Sequence, residues 1–114
     1  MKDLFGKLQT IVDSSEIIID RPKGSKHPRY DAYVYPMDYG YLEGTKSQDG
    51  SGIDVWVGSG DRRVISGILV IADALKKDSE IKILLGCSDE EAQTALDKSN
   101  RGEMTAILMK GEGV

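Results

Sequence analysis

The sequence predicts a mainly β (α+β) protein, a small antiparallel β-barrel with an N-terminal helix and one helix near the C-terminus. Short segments rich in β-branched residues follow one another with little helix between them, which is typical of small barrels. Apolar residues recur at helical spacing in two other segments. The chain has 114 residues, a length that suits one domain over residues 1–114 without a disulfide or a structural metal.

Two helices are predicted, one at each end of the strand-rich region. In residues 2–13 the apolar side chains share one helical face: Leu4, Phe5, Leu8, Ile11 and Val12. We expect this face to pack on a core, and a partner surface is the alternative. The second helix begins at Ser88, which matches a capping box with Glu91, and the stretch from Asn100 to Gly102 predicts its end.

Five or six segments are predicted as strands from their apolar and β-branched residues. They are residues 16–20, 32–36, 53–59, 62–73 and 80–86, with 104–110 as the sixth. Pro22 ends the first strand, and the basic segment 21–30 is predicted to be a loop or an extended arm. Gly67 predicts a bulge or a bend in the fourth strand.

Charge and composition argue against several classes of protein. The net charge of −4 and the pI near 4.9 disfavour general nucleic-acid binding, which needs an excess of Lys and Arg. The apolar runs are far shorter than the ~18 residues of a membrane span, and the N-terminus lacks the pattern of a secretion signal. The single cysteine, Cys87, follows an apolar run, so we expect a buried structural thiol and a cytoplasmic protein.

Acidic residues form two pairs with the same spacing. Asp49 and Asp54 flank a glycine-rich turn, and Asp73 and Asp78 are again five residues apart. A solvated cap is the ordinary interpretation of any one of these side chains. Several carboxylates at strand ends are also what Mg²⁺ needs, because it binds carboxylates, waters and phosphate oxygens. Two further acids stand near strand ends: Asp20 and Asp31.

Basic and phenolic side chains could hold an anion. The cations are concentrated in the arm, with two more further along the chain: Lys23, Lys26 and Arg29, then Arg62 and Arg63. Cations facing metal-bound carboxylates can hold a phosphate, and a solvated loop is the alternative. The five tyrosines lie at positions 30, 33, 35, 39 and 41. Their hydroxyls could line a polar pocket and donate to anionic oxygens, and packing of strand residues in and around a barrel is the alternative. Tyr39 is the strongest candidate for the first role, because Pro36 and Gly40 predict a bend that could hold it at a cleft.

Together these segments resemble the family I soluble inorganic pyrophosphatases. The stretch IIIDRP resembles the family's strand that ends in a glutamate before Ile-Pro, and Arg29-Tyr30-Asp31 resembles its Lys-Tyr-Glu. YPMDYGYLEGT resembles its Tyr-Pro-x-Asn-Tyr-Gly-Tyr/Phe-Ile-x-x-Thr, and DGSGIDVWV resembles its signature Asp-Gly-Asp-Pro-Leu/Ile-Asp-Val-Leu-Val. Asp73 and Asp78 keep the spacing of its last two metal aspartates. The similarity covers about residues 17–78.

The resemblance implies a five-stranded OB-like barrel that binds several Mg²⁺ ions, with Mn²⁺ as an alternative, and hydrolyses pyrophosphate to two phosphates. By the same resemblance, the metal-binding core is Asp49, Asp54 and Asp78, and Asp73 completes a second ion site. Asp20 and Asp31 are implied to be either acids outside the direct ligand shell or acids of the second site. It implies that Arg29 and Tyr39 hold phosphate, to which the charge of the arm adds Lys23. Family habit and the amphipathic N-terminal helix favour a homo-oligomer.

Two departures from the family pattern bear on activity. Ser51 stands where the family has an aspartate that helps to convert the bridging water to hydroxide, and an unperturbed serine cannot accept that proton near neutral pH. Asp38, which stands where the family has asparagine, is the candidate substitute. The segment between Asp31 and Tyr35 is also shorter than the family's hairpin, and the family's C-terminal Tyr-Lys pair has no match.

Three functions therefore remain to be separated. The first is Mg²⁺-dependent hydrolysis of pyrophosphate, weak or altered because of Ser51. The second is a non-catalytic relative that binds a metal–phosphate ligand or a protein partner. The third is an OB-like nucleic-acid module, which the acidic balance and the single Phe and Trp disfavour.

Overall fold

The computed structural model describes residues 2–47 and 50–111, and the described part is mainly β, as predicted. It contains two helices, α1 (Lys2–Asp13) and α2 (Asp89–Lys98). It contains six strands: β1 (Ile17–Arg21), β2 (Asp38–Leu42), β3 (Ile53–Val57), β4 (Ile65–Asp73), β5 (Asp78–Leu85) and β6 (Met104–Lys110). No helix within these residues has both the length and the apolar character needed to cross a membrane.

The six strands form one sheet in the order β1-β2-β3-β5-β4-β6. Neighbouring strands are antiparallel except β3 and β5, which run parallel. The resemblance implied five strands, whereas 104–110 adds a sixth at one end of the sheet. The described pairings run in line from β1 to β6, so closure of the sheet into a barrel is not confirmed.

A hydrophobic core lies on each face of the sheet, because each helix covers one face. Side chains alternate between the two faces along the regular parts of the strands, and a shift in register between Ile65 and Gly67 interrupts this alternation in β4. The face covered by α1 carries buried residues from four strands: Leu42, Val55, Val57, Ile65, Ile68, Ile83 and Leu85, which pack with Phe5, Leu8 and Val12 of the helix. The opposite face, which we call the α2 face, carries Trp56, Leu69, Ile71, Leu84 and Ala106, which pack with Ala92 and Ala95.

Local sequence signals predicted both helices and the bulge. The capping box of α2 is complete, since the Ser88 side chain accepts from the Glu91 backbone N–H and the Glu91 carboxylate accepts from the Ser88 N–H. In the fourth strand the register with β5 shifts between Ile65 and Gly67, so the predicted bulge is confirmed.

The predicted strand over residues 32–36 is wrong. Residues 22–37, which we call the arm, contain a single isolated bridge between Lys26 and Val34. Turns fold the arm back on itself: Ser25 N–H donates to the Pro22 carbonyl, and Tyr33 N–H donates to the Tyr30 carbonyl. The valine and tyrosines favour strands, but these turns keep the arm from pairing along the sheet.

The predicted bend at Gly40 is also wrong, because Gly40 lies in the middle of β2. Strand β2 pairs with β1 and β3, and Gly40 is the partner of Ile19. A Cβ atom on Gly40 would lie 1.7 Å from the Ile18 carbonyl oxygen. The glycine therefore permits the close approach of β1 rather than a change in chain direction.

Candidate functional site

A hydrogen-bonded chain of three polar side chains crosses the middle of the α2 face. The Tyr39 hydroxyl on β2 donates to Asp54 Oδ2 on β3 at 2.7 Å. The Lys82 ammonium on β5 donates to the same hydroxyl, also at 2.7 Å. Glu80 Oε1 lies 3.5 Å from Lys82 Nζ. We call these four residues the central site.

The strand register brings the central site together. Tyr39 lies opposite Trp56, so its side chain points to the α2 face, and Asp54 shares that face because it is two residues from Trp56 on β3. The parallel pair Val55–Ile83 places Asp54 beside Lys82 on the next strand. Residues 43 positions apart in the chain are thus joined through the parallel β3–β5 contact.

Tyr39 is held by aromatic packing as well as by hydrogen bonds. Its ring meets the Trp56 ring edge to face, with centroids 4.6 Å apart, and lies 5.4 Å from the Tyr35 ring. Lys82 Nζ lies 4.9 Å from the centre of the Tyr39 ring. Burial, followed by the charge of Asp54, raises the pKa of Tyr39 well above its usual range. The hydroxyl therefore stays protonated at physiological pH.

The direction of the two hydrogen bonds follows from chemistry. An ammonium group can only donate and an ionised carboxylate can only accept, so the single proton of the Tyr39 hydroxyl points to Asp54. The site thus holds a neutral hydroxyl between an anion and a cation. The side chains of Lys82 and Glu80 are only 20% and 29% exposed, so their charges are partly removed from water.

Asp73 and Asp78 lie at the end of the β4–β5 hairpin, where they are register partners. Alternation along β5 places Asp78 on the same face as Glu80 and Lys82. Asp73 Oδ1 accepts from the Leu75 and Lys76 backbone N–H groups, which orders the turn. A cleft of about 550 Å³ lies against this hairpin and is lined by both aspartates together with Lys77 and Glu103.

The described acids share a face but do not form a complete metal cage. Asp78 is four residues from Lys82, so at about 3.3 Å per residue β5 separates it from the Asp54 end of the site by about 13 Å. In residues 2–47 and 50–111 no three His, Cys, Asp or Glu side chains are grouped closely enough to hold a metal ion. Asp49, the fourth predicted ligand, lies outside the described residues. The described acids therefore do not by themselves complete a magnesium site.

Two other predicted metal ligands, Asp20 and Asp31, do not belong to the central site. Asp20 occupies the irregular position of β1, where the register with β2 shifts between Ile19 and Arg21, and one of its carboxylate oxygens is 3.8 Å from Arg21. Asp31 is exposed in a turn of the arm. The structure brings neither carboxylate into contact with the Tyr39–Asp54–Lys82 chain.

Asp38 faces away from the central site. It lies opposite Val57, whose side chain belongs to the core under α1, whereas Tyr39 next to it faces α2. Its carboxylate accepts from the Lys23 backbone N–H at 2.8 Å and lies 3.9 Å from Arg62. That Asp38 replaces the missing acid stays a prediction, and its position joins the arm to β2 instead.

The basic residues that the sequence suggested for anion binding do not lie together in one site. Arg29 is exposed in the arm, and its backbone N–H donates to His27 Nδ1. Arg63 donates to the Val12 and Ser15 carbonyls and so fastens the end of α1 to the sheet. Of the cations in the described ranges, Lys82 is the one that contacts Tyr39 by a hydrogen bond.

Ser51 lies on an exposed turn before β3. Its carbonyl accepts from the Ser47 backbone N–H at 2.6 Å and from the Ser47 hydroxyl at 3.0 Å. Gly50 has a φ of +86°, a left-handed conformation that suits glycine in this tight turn. Ser51 lies three residues before Asp54 in the sequence, and that this turn forms the rim of a metal site stays a prediction.

Sequence reasoning did not identify Lys82 or Glu80. In the segment EIKILL the two charges alternate with isoleucines, which looks like the solvent face of an ordinary strand. A signal was nevertheless present in the sequence. Positions 80, 82 and 84 of the strand lie on the same face, and Leu84 is fully buried on that face. Charges in line with a buried leucine on the same face indicate a polar site at the margin of a core.

Cys87 is half-buried, and the described part of the chain contains no other cysteine. Its thiol packs beside the second core, and burial raises its pKa to about 11. A thiol with such a pKa is almost fully protonated near neutral pH and is a poor nucleophile. This agrees with a structural role for Cys87.

The fold and the central site define a small mainly β domain in which a tyrosine, a carboxylate and a lysine from three strands form a polar site on one face of a mixed sheet. Comparison with known families extends this description: a family model for inorganic pyrophosphatase matches residues 2–107. The chain therefore belongs to the inorganic pyrophosphatase family, and the resemblance seen in its motifs is confirmed. A search of curated proteins found no match.

Proposed function

We propose that this protein hydrolyses inorganic pyrophosphate to two phosphates and that it requires Mg²⁺. The family match over residues 2–107 is the observation that carries the proposal. The central site supports it, because Asp54 and Tyr39 stand at two of the family-like motifs and contact each other directly. In the reaction a water oxygen bonds to one phosphorus, the bridging P–O bond breaks, and the water's proton goes to a base.

Mg²⁺ enters this proposal together with the substrate. Pyrophosphate is a multiply charged anion that binds Mg²⁺ in water, and the ion prefers carboxylate and phosphate oxygens. Asp54, Asp73 and Asp78 are the candidate protein ligands among the described residues, for more than one such ion, with Asp49 as the fourth candidate. Mn²⁺ has the same preference for oxygen and is the natural alternative ion. A bound ion would lower the charge of the substrate and the pKa of a coordinated water.

The chain's own groups define a partly buried, oriented environment for the substrate. Tyr39 is fixed by its two hydrogen bonds and by the Trp56 ring, so Asp54 is held in one position. Preorganised polar groups of this kind do not have to rearrange as charge develops in the transition state. We assign Asp54 to the reacting centre and Tyr39 to its orientation.

A second function, binding without turnover, is supported by Ser51. A serine at the turn before β3 removes one acid from the edge of the site, and Asp38 faces the opposite side of the sheet. A member of the family with these changes could retain affinity for a metal–phosphate ligand after losing hydrolysis. The two functions predict different results in the same two assays.

The test combines turnover with binding. Phosphate release from pyrophosphate is measured with Mg²⁺, with Mn²⁺ and with EDTA, for the wild type, Asp54→Asn and the control Asp97→Asn on α2. We expect metal-dependent release that Asp54→Asn abolishes and Asp97→Asn preserves. A thermal shift with Mg²⁺ and a non-hydrolysable pyrophosphate analogue is measured in parallel. A shift without phosphate release would favour the binding function, and the absence of both would overturn the proposal.

We also propose that the protein acts in the cytoplasm as a homo-oligomer. The protonated, half-buried Cys87 suits a reducing compartment. Because the apolar residues Phe5, Leu8 and Val12 of α1 pack on the core, the proposal of self-association rests on the habit of the family. Size-exclusion chromatography with light scattering measures the oligomeric state, and a monomer at micromolar concentration would contradict this part of the proposal.

A further inference from the structure

We propose that Lys82 is the cation that contacts a phosphate group of the substrate and that Glu80 competes with this phosphate for Lys82. The inference rests on the proposed function and specifies which side chain recognises the anion. The sequence motifs had assigned that role to Tyr39 and to the arm. The hydrogen bonds of the central site assign it differently.

The first argument concerns how many hydrogen-bond donors Tyr39 and Lys82 have left for an anion. Tyr39 has one hydroxyl proton, and it is used in the 2.7 Å bond to Asp54. Tyr39 therefore cannot donate to a phosphate oxygen while this bond exists. Lys82 has three N–H donors, of which one is used on the Tyr39 oxygen. Within the central site, the ammonium group of Lys82 is therefore the group with N–H donors left for an incoming anion.

The second argument is the quality of the contact between Lys82 and Glu80. Its length is 3.5 Å, which exceeds the 2.7–3.2 Å range of an N–H···O hydrogen bond. A phosphate oxygen at hydrogen-bond distance would be a better partner, and it carries more charge than one carboxylate. Glu80 thus compensates the lysine without occupying its donors well.

The third argument is the fixed position of the ammonium group. The Tyr39 hydroxyl binds it and the Tyr39 ring lies 4.9 Å away, while the side chain remains 20% exposed. If Lys82 only stabilised the fold, we would expect a shorter distance between its ammonium group and a carboxylate. Here the closest partner is a neutral oxygen and the carboxylate of Glu80 is 3.5 Å away, so a phosphate oxygen at hydrogen-bond distance can interact more strongly with the ammonium group than Glu80 does.

The test uses substitutions with opposite expected effects. Lys82→Met keeps the length of the side chain and removes the charge, and Lys82→Arg keeps the charge. Glu80→Gln removes the competing carboxylate. The matched controls are Lys7→Met on α1 and Glu43→Gln after β2, both at exposed positions. Binding of inorganic phosphate is followed by the fluorescence of Trp56, which packs on Tyr39, and KM and kcat are measured with magnesium pyrophosphate.

We expect Lys82→Met to weaken phosphate binding and to raise KM by about tenfold or more, which is typical for the loss of a charged hydrogen-bond donor. Lys82→Arg should recover most of this loss. Glu80→Gln should tighten phosphate binding by about threefold or more, an effect that a purely structural pair would not produce. The controls should match the wild type.

The outcomes separate this inference from the proposed function. If the wild type binds phosphate and hydrolyses pyrophosphate but Lys82→Met keeps the same phosphate affinity and KM, the inference alone is overturned. If Lys82→Met does not fold, Glu80→Gln decides, and unchanged or weaker phosphate binding would contradict the competition. A wild type that neither binds phosphate nor releases it from pyrophosphate would overturn the proposed function and the inference together.

Discussion

The Tyr39 hydroxyl donates to Asp54 at 2.7 Å and accepts from Lys82 at the same distance, so one neutral group joins two opposite charges. Its ring makes separate contacts with Trp56 and Tyr35. The polar and apolar contributions of this side chain can therefore be separated by removing a single oxygen atom.

Tyr39→Phe should lower kcat/KM for pyrophosphate by about tenfold or more while the protein stays folded. The ring packing is retained, and the loss of the two hydrogen bonds should reduce the free energy of unfolding by about 1–3 kcal/mol. Steady-state kinetics and urea unfolding measure the two effects. The control is Tyr41→Phe, two residues along the same strand. Equal effects of the two substitutions on kcat/KM would contradict a specific role for Tyr39.

Ser51→Asp should raise kcat. The substitution adds an acid to the turn at the rim of the site, where the family pattern has one, and a positioned general base contributes about 10²–10⁴-fold. We expect an increase of at least about tenfold with Mg²⁺, measured as phosphate release. Ser51→Asn has a similar size and no charge, so a comparable increase with asparagine would show that proton transfer is not the cause.

Asp38→Asn tests whether Asp38 replaces the missing acid. Its carboxylate accepts from the Lys23 N–H and faces away from Asp54, so we expect kcat to change by less than about twofold, because asparagine retains an acceptor for that bond. A fall of about 10²-fold in kcat, with unchanged thermal stability, would instead support Asp38 as the substitute base.

Gly40→Ala should destabilise the fold through the β1–β2 contact. The new Cβ would lie 1.7 Å from the Ile18 carbonyl oxygen, so the two strands must separate. Overpacking typically costs about 1–3 kcal/mol, and contact with backbone favours the upper end. Gly6→Ala on α1 is the control with the opposite sign: its Cβ meets nothing within 4 Å, and alanine stabilises a helix interior by about 1 kcal/mol. Chemical denaturation of both variants checks the prediction.

Glu91 should make stability depend on pH. Its pKa is lowered from the ordinary value of 4.5, first by the hydrogen bond from the Ser88 backbone N–H and also by bonds from Ser59. A carboxylate with a lowered folded-state pKa stabilises the protein above its unfolded pKa, and this contribution is lost as pH falls through the folded pKa.

The measurement for Glu91 compares urea unfolding of the wild type and Glu91→Gln at pH 7 and at pH 3. We expect the wild type to be more stable by about 1 kcal/mol at pH 7 and the difference to shrink at pH 3. Glu90→Gln, at an exposed position in the same helical turn, is the control. A stability difference that does not change with pH would show that the charge of Glu91 is not involved.

The sequence was sufficient to predict the helices and strands that are determined by residues close together in the chain. The helix over 2–13 and the capping box of Ser88 and Glu91 depend on residues within one or two helical turns, and both are confirmed. Strands rich in Val, Ile and Leu were identified for the same reason, although their ends moved by several residues.

Strand β2 could not be predicted because its cause is not local. Asp38 and Gly40 are poor strand formers, and the strand exists because Gly40 admits the backbone of β1. The residues of the central site could be predicted only in part. Motifs identified Tyr39 and Asp54 as candidates, whereas the contact of Lys82 with Tyr39 depends on the parallel pairing of β3 with β5, which no local pattern specifies.

The order of the strands has a consequence for how the protein folds. The chain leaves β3, forms the β4–β5 hairpin, and then returns so that β5 lies between β3 and β4. A hairpin with a four-residue turn can form early, whereas the parallel β3–β5 contact must wait for the two halves of the sheet to dock. Lys82 arrives with the second half and Tyr39 with the first. The contact between Lys82 and Tyr39 therefore forms only when the two halves dock, so recovery of the proposed anion binding would report the docking step.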